Sequence, residues 1–293
     1  MRSSLSRIVM TLAALLLAAA APQPVITYRV VDGAGHVPLV VAEAGSADAP
    51  AILLIHGFGQ SSWSWRGLMQ SDLAQRYHLV AFDLRGHGES GKPWKEADYL
   101  PAKPWGDDVA KVIAATGIKR PVVVGWSFGG YVAMDYVRRY GDKGLAGIAL
   151  VGSLGGLTPR PQRGAATLGY DAEVNYAGAL AFARILTATP QSPEWTANAA
   201  GVIMMTPTYA KVPIAKRSLD NHDLVPKLRR PLLLMAGTKD GAVPPDKLAE
   251  IQRLVPSARR IDYPGSGHMP FIEAPEAFIR DLDSFAREAG GQK

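Results

Sequence analysis

Pro121-Val122-Val123-Val124-Gly125-Trp126-Ser127-Phe128-Gly129 is the stretch on which the fold turns. An apolar, β-branched run of the kind buried on both faces of a sheet leads into the pattern G-x-S-x-G. A helical stretch, Phe128 to Tyr140, leaves it directly. That strand-turn-helix setting gives weight to a five-residue match that is only moderately specific by itself. In it the serine stands on a strained turn, and small flanking residues let the backbone pass closely. The helix N-terminus then directs its free N–H groups at whatever reacts with the hydroxyl. The competing reading, a Gly-rich turn with an incidental serine, is disfavoured by those flanks.

Outward from this stretch the chain alternates short apolar runs with amphipathic ones. Tyr28 to Val31 and Pro38 to Val41 read as two edge strands joined through Asp32-Gly33. Ala51 to Ile55, His78 to Phe82, Leu145 to Val151 and Pro231 to Met235 read as buried strands, and Arg259 to Tyr263 as a weaker edge strand. Helices are expected over Asp107 to Ala115, Phe128 to Tyr140, Pro245 to Leu254 and Pro275 to Ala289, each with apolar residues at helical spacing. Fully apolar strands alternating with helices predict an α/β fold: a mostly parallel eight-stranded sheet covered on both faces. Between Leu154 and Lys227 the alternation stops. Ala-, Tyr- and Met-rich stretches divided by prolines 159, 161, 190, 193, 207 and 213 predict a helical insertion, too long for a plain loop. The expected organisation is residues 21–153 and 228–293 as two parts of one α/β core, with 154–227 inserted between them.

Of 293 residues, 47% are hydrophobic and 20% charged, ordinary globular values. The net charge is +6; Arg2 and Arg7 lie at the extreme N-terminus, leaving +4 for the rest. The remaining basic residues are scattered among acids, with pairs such as Arg138-Arg139 but no stripe that would track phosphates. Nucleic-acid binding is therefore not expected. The absence of cysteine excludes disulfides, thiolate metal sites and a Cys nucleophile. At the N-terminus, Arg2 and Arg7 precede the apolar run Ile8 to Ala21, which ends in Ala18-Ala19-Ala20. This is the layout of a cleaved signal peptide over residues 1–20 and predicts a periplasmic or secreted protein. At fourteen residues the run is short for a membrane span of about 20, so no lasting membrane span is expected.

A serine hydroxyl needs a base to become a nucleophile. Of six histidines only His222 and His268 follow Ser127. His268 lies in Gly265-Ser266-Gly267-His268-Met269-Pro270, after the last strand and before the last helix, whereas His222 lies in the insertion. His268 is the expected base. Asp240, in Gly237-Thr238-Lys239-Asp240-Gly241 directly after the run Pro231 to Met235, is the expected acid that orients it. Asp220 and Asp223 precede that strand, and Asp246 reads as a helix start. Val151-Gly152-Ser153-Leu154, an alternative place for an acid, has none.

Two glycine-rich loops complete the pattern. Ile55-His56-Gly57-Phe58-Gly59-Gln60 follows the first buried strand, with His56 read as a structural residue that orients it. Gly86-His87-Gly88-Glu89-Ser90-Gly91 matches G-x-G-x-x-G, and Gly86 to Lys92 nearly matches a P-loop, yet Pro93 stands where a P-loop needs Ser or Thr. No apolar helix follows, so a nucleotide site is not expected.

In this order, the Ser127 turn, the His56-Gly57 loop, the Asp83 to Ser90 loop, the Asp240 loop and the His268 loop resemble the α/β-hydrolase superfamily over nearly the whole chain. The insertion falls where that family carries a helical cap. The resemblance implies backbone N–H groups of Phe58 and Phe128 as an oxyanion hole, and attack by Ser127 on a carbonyl through an acyl-enzyme. It implies no cofactor and no metal. Ser127 argues against dehalogenases and epoxide hydrolases, which use Asp. The expected substrate is a small-molecule ester of small or medium acyl chain, with Trp126, Met204 and Met205 as candidate pocket residues. Perhydrolase, lactonase and carbon–carbon bond hydrolase readings share the same triad, and the oligomeric state is left open.

Overall fold

Eight strands form one sheet in the order β1-β2-β4-β3-β5-β6-β7-β8. They are β1 (Thr27–Asp32), β2 (Pro38–Ala44), β3 (Ala51–Ile55), β4 (His78–Phe82), β5 (Val122–Trp126), β6 (Gly147–Val151), β7 (Leu232–Gly237) and β8 (Arg259–Tyr263). The computed structural model describes residues 23–158, 172–218 and 220–291. The signal peptide expected at residues 1–20, and the part of the insertion that holds Pro159 and Pro161, lie outside them.

β2 pairs antiparallel with both β1 and β4, and the other neighbours are parallel. Every residue of β3 through β7 is buried, as expected of parallel strands covered on both faces. Among the described residues, α1 (Ala102–Thr116), α2 (Phe128–Tyr140), α6 (Pro245–Leu254) and α7 (Pro275–Gly290) cover the sheet, and α5 (Thr208–Lys216) packs into the same core as α1 and α2. One face packs on α1, α2 and α6 through Val109, Val112, Tyr131, Met134, Leu248 and Ile251. The other packs on α7 and the segment after β3 through Phe278, Leu282, Phe285, Trp65 and Leu68. The sheet is thereby sandwiched, and no helix among the described residues is long and apolar enough to cross a membrane.

α1 starts at Ala102, five residues before the expected Asp107. Pro104 and Gly106 interrupt the apolar spacing there, but proline is tolerated in a first helical turn. Gly106 is required by packing: a β-carbon on it would stand 2.6 Å from the Asp135 carbonyl of α2. Between β6 and β7 the described residues hold only helices: α3 (Ala172–Ile185), α4 (Pro193–Met204), α5 and a 3-10 turn, His222–Lys227. Ser192 caps α4 by accepting the Trp195 N–H at 3.1 Å, with Pro193 in its first turn. α3 and α4 meet through Ala179, Ala183, Ala199, Ala200 and Ile203.

The strand order places a ligand crevice. From β3 the chain proceeds to β4 on one side, and from β5 to β6 on the other. In open parallel sheets ligands bind outside the carboxyl ends of strands where the winding direction reverses. Here those ends carry His56-Gly57-Phe58 and Ser127.

Candidate active site

Ser127 follows β5 with φ 52° and ψ −117°, one of three non-glycine residues with positive φ among the described residues. That conformation is costly for a side-chain-bearing residue, and the surroundings hold it on both sides. The Ser127 N–H donates to Val151 O at 2.9 Å, and its carbonyl accepts Ser153 Oγ–H at 2.6 Å and the Gly130 N–H at 3.1 Å. Gly129 is obligatory: a β-carbon there would stand 2.2 Å from Ile55 O and 2.6 Å from His56 O. α2 therefore begins pressed against the end of β3, which brings the Ser127 turn beside the His56-Gly57 loop. A β-carbon at Gly57 would lie 3.2 Å from Ser127 Cβ.

His268 and Asp240 meet. The imidazole Nδ1–H donates to Asp240 Oδ2 at 2.8 Å, both side chains being almost fully buried. The other carboxylate oxygen accepts the N–H groups of Ala242 and Val243 at 2.8 and 2.9 Å. The two loops are cross-linked by Lys239 N–H to Ser266 O at 2.8 Å and Thr238 N–H to Tyr263 O at 3.0 Å. The pair lies against the end of β6, next to β5 in the sheet. At Gly152 (φ 49°) a β-carbon would stand 3.0 Å from both Asp240 Oδ2 and His268 Nδ1. The position without an acid is thus also a position without room. Among the described residues no hydrogen bond joins the Ser127 hydroxyl to the imidazole; such contacts are commonly long in free enzymes and tighten with substrate.

Phe58 and Phe128 sit side by side, ring centroids 6.5 Å apart and edge-on. Phe128 is the first residue of α2, so its N–H has no intrahelical acceptor. His56 stabilises the Phe58 loop from beneath. Its Nδ1 pairs with Gly57 O at 2.8 Å and its Nε2 accepts the Leu84 N–H at 3.0 Å. Full burial holds its pKa down at about 4, so it stays neutral and joins two loops. His222, outside this cluster, opens the 3-10 turn before β7.

The Gly86 to Gly91 loop has no cradle for phosphate. Gly86, His87, Ser90 and Gly91 donate their N–H groups to carbonyls, and Glu89 donates to Asp83 Oδ2 at 2.8 Å. Asp83 Oδ1 accepts the Ser62 N–H at 2.7 Å. Arg85 holds Asp108 through two bonds of 2.7 and 2.8 Å. The loop is a structural knot.

Of the three candidate pocket residues, Trp126 is buried in the core. Its ring packs edge-on against Trp65 and Phe271, and its indole N–H donates to His268 O at 2.8 Å. Met204 and Met205 are half-buried at the end of α4. The neighbouring Ile203 lies 3.8 Å from a β-carbon position at Gly59, so this end of α4 overhangs the Phe58 loop.

Sequence reasoning missed Glu273. Its Oε2 accepts the Gly267 N–H at 2.6 Å, and its Oε1 accepts the N–H groups of Ala188 and Thr189 at 2.8 and 2.9 Å. One carboxylate thereby fastens the His268 loop to the turn between α3 and α4. An acid after Pro270 carries no sequence signal for that role. Among the described residues no group of three or more His, Asp or Glu is gathered so as to hold a metal ion.

Comparison with known proteins agrees with this fold. The family model for the alpha/beta hydrolase fold matches residues 50–275. The fold is similar to a solved structure from Burkholderia cenocepacia assigned as an aryl esterase (33% identity, TM-score 0.84, 90% of this chain and 100% of that one). It is also similar to an esterase from Rhodococcus sp. ECU1013 (28% identity, TM-score 0.79, 88% of this chain and 98% of that one). In sequence it is 30% identical over 265 residues to a bifunctional esterase/perhydrolase of Acinetobacter calcoaceticus, covering 83% of this chain and 94% of that protein.

Proposed function

The chain belongs to the alpha/beta hydrolase family, and on that premise we propose that it is an exported serine esterase in which Ser127, His268 and Asp240 cleave carboxylic esters of small or medium acyl chain. The observation that carries this reading is the buried 2.8 Å bond from His268 to Asp240, on loops that open beside the strained Ser127 turn. Esterases among the similar structures support the substrate class.

The chemistry follows from the placement. His268 Nε2 takes the Ser127 hydroxyl proton as Oγ attacks the ester carbonyl carbon. The resulting oxyanion is held by the N–H groups of Phe58 and Phe128, each donor contributing about 3 kcal/mol to such a transition state. Asp240 fixes the tautomer with Nδ1 protonated and stabilises the imidazolium. The tetrahedral intermediate collapses, the C–O bond to the alcohol breaks, and the imidazolium protonates the leaving oxygen. Water, deprotonated by His268, then attacks the acyl-enzyme and releases the acid. The helices between β6 and β7 would act as a cap over this crevice.

The test is the Ser127→Ala variant, with p-nitrophenyl acetate and butyrate as substrates. Its kcat falls by roughly 10⁴-fold or more while far-UV circular dichroism stays native. Retained hydrolysis would remove Ser127 from the mechanism. Labelling by a fluorophosphonate, mapped to Ser127 by mass spectrometry, tests the nucleophile independently.

A second reading, peracid formation, is favoured by the bifunctional esterase/perhydrolase relative. Hydrogen peroxide in place of water at the acyl-enzyme yields a peracid. Peracid formation from acetate and peroxide, compared with ester hydrolysis by the same preparation, measures its share.

A further inference from the structure

The buried charges beside the crevice are paired, with one exception. Arg85 is bonded to Asp108. Arg217 donates to Asp135 at 2.7 Å. The Asp83 carboxylate is held by backbone N–H groups. His56 and His87 are neutral, because burial holds their pKa values at about 4 and about 3. Lys211, on α5, is only 6% exposed, yet its ammonium has no hydrogen bond and no ion pair among the described residues. Its carbon stem is buried while the ammonium tip keeps contact with solvent, so the cation is partly desolvated with no protein anion to offset that cost. Burial accordingly lowers its pKa.

The place of this cation connects it with the oxyanion loops. Its chain neighbour Ala210 lies 3.3 Å from a β-carbon position at Gly86, the residue before His87. The Lys211 charge is close enough to His87 to disfavour a proton on that ring. His87 in turn belongs to a closed set of edge-on rings: Phe58 at 6.3 Å, Trp105 at 6.5 Å, Trp105 to Phe128 at 5.2 Å, and Phe128 back to Phe58 at 6.5 Å. Phe58 and Phe128 carry the two backbone N–H groups assigned to the oxyanion. Buried polar atoms of this set and against it lack partners: His87 Nε2, and Nε and Nη1 of Arg217. The Arg217 guanidinium carbon lies 4.9 Å from the Trp105 ring centroid and 5.5 Å from that of Phe128. Unpaired polar atoms of His87 and Arg217 thus border the aromatic wall, and the lone ammonium lies within electrostatic reach of it.

We propose that Lys211 binds a carboxylate carried by the ester substrate, so that the enzyme selects anionic esters over neutral ones of the same length. This deepens the esterase reading and rests on it. The ligand completes the charge that the protein leaves open: its carboxylate accepts from the Lys211 ammonium, and the aromatic rings cover the chain between that anchor and the reacting carbonyl. Arg217 cannot serve as the primary anchor, since its charge is already matched by Asp135.

Two substrate pairs test it: mono-4-nitrophenyl glutarate against 4-nitrophenyl valerate, with the charge on the acyl side, and 4-acetoxybenzoate against phenyl acetate, with the charge on the alcohol side. The readout is the ratio of kcat/KM, charged over neutral, within each pair. Lys211→Met lowers that ratio by about ten-fold or more in one of the pairs, the usual scale for a charge-assisted hydrogen bond. Lys211→Arg keeps it within about three-fold. The pair that responds tells which side bears the carboxylate. A ratio unmoved by Lys211→Met in both pairs overturns the proposal. Binding of mono-4-nitrophenyl glutarate and 4-acetoxybenzoate to the Ser127→Ala protein, with and without Lys211→Met, is measured by calorimetry. This arm requires no turnover, so it separates failure of the carboxylate site from failure of the nucleophile assignment. Loss of affinity on Lys211→Met for one of the two ligands supports the site, and equal affinities for both overturn it. Lys211→Met folds readily on the same reasoning, because methionine fills the place of the buried stem and removes a partly desolvated charge; its melting temperature is at or above that of the parent.

Discussion

The indole N–H of Trp126 donates to the carbonyl oxygen of His268 at 2.8 Å, so the residue before the proposed nucleophile also fixes the loop that carries the proposed base. Trp126→Phe retains the core ring and leaves that buried carbonyl without its donor. The cost is about 1–3 kcal/mol of stability, read as a lower melting temperature in thermal scans. The imidazole also loosens, and kcat on p-nitrophenyl butyrate drops by roughly ten-fold with KM nearly constant. A variant that melts lower but turns over normally would show that the bond supports the fold alone.

Asp240→Asn makes a sharper change. The Ala242 and Val243 N–H groups require an oxygen at the Oδ1 position, so the amide NH2 is forced toward His268. The imidazole must then accept rather than donate at Nδ1, which places its proton on Nε2, the wrong nitrogen for a base. kcat falls by about 10⁴-fold, as such tautomer reversals do, with the melting temperature little altered. Stopped-flow acylation by p-nitrophenyl acetate checks it.

Gly152→Ala introduces a β-carbon 3.0 Å from both partners of the acid–imidazole pair, at φ 49°. The backbone strain costs on the order of 1–2 kcal/mol. The displaced imidazole costs more in rate, on the order of 10²-fold. Steady-state kinetics beside chemical denaturation separates the two effects.

Arg217→Met leaves Asp135 charged and buried without its partner, a loss of about 3–5 kcal/mol. Pairing it with Asp135→Leu restores most of that stability. Urea unfolding of both single variants and the double variant gives the coupling directly, and additive losses would contradict a tight ion pair.

Two buried histidines make stability sensitive to acidification below neutrality. His56 and His87 have folded pKa values of about 4 and about 3, against an unperturbed 6.5. Between 6.5 and those values the unfolded chain binds protons that the native protein refuses, so stability rises with pH there. Each histidine contributes about 1.4 kcal/mol per pH unit across the window. Asp135, pushed up to about 6 by burial, acts in the opposite direction between its ordinary value and 6 and offsets one of the two. Asp108, whose pKa burial also raises, acts in the same direction as Asp135, so the slope of stability on pH, from equilibrium unfolding at a series of pH values from about 4 to 7, is read as a difference between variants. In His87→Phe that slope is smaller by about one proton.

The strands were legible because a parallel strand buried on both faces has no polar residue to disguise it: Ala51 to Ile55 and His78 to Phe82 agree with β3 and β4 residue for residue. The early start of α1 was hidden by Pro104 and Gly106, whose reasons are a first-turn position and the approach of Asp135. In the candidate site, chain order and loop position named Ser127, Asp240 and His268, since each stands just past a strand end. Glu273 and Lys211 could not be found that way. The partners of Glu273 at 188 and 189 are more than eighty residues away. Lys211 reads in sequence as the polar face of a short helix, and only its burial separates it from Lys216.

The Glu273 carboxylate gives the segment between β6 and β7 a dependency that reaches into the loop of the proposed base, His268. Residues 172–227 are not a cassette to be exchanged at will between relatives for a new specificity. A transplant whose α3–α4 turn fails to present N–H groups to position 273 would arrive with its own binding surface intact and the recipient's base adrift, a failure that substrate screening alone would misread as poor recognition.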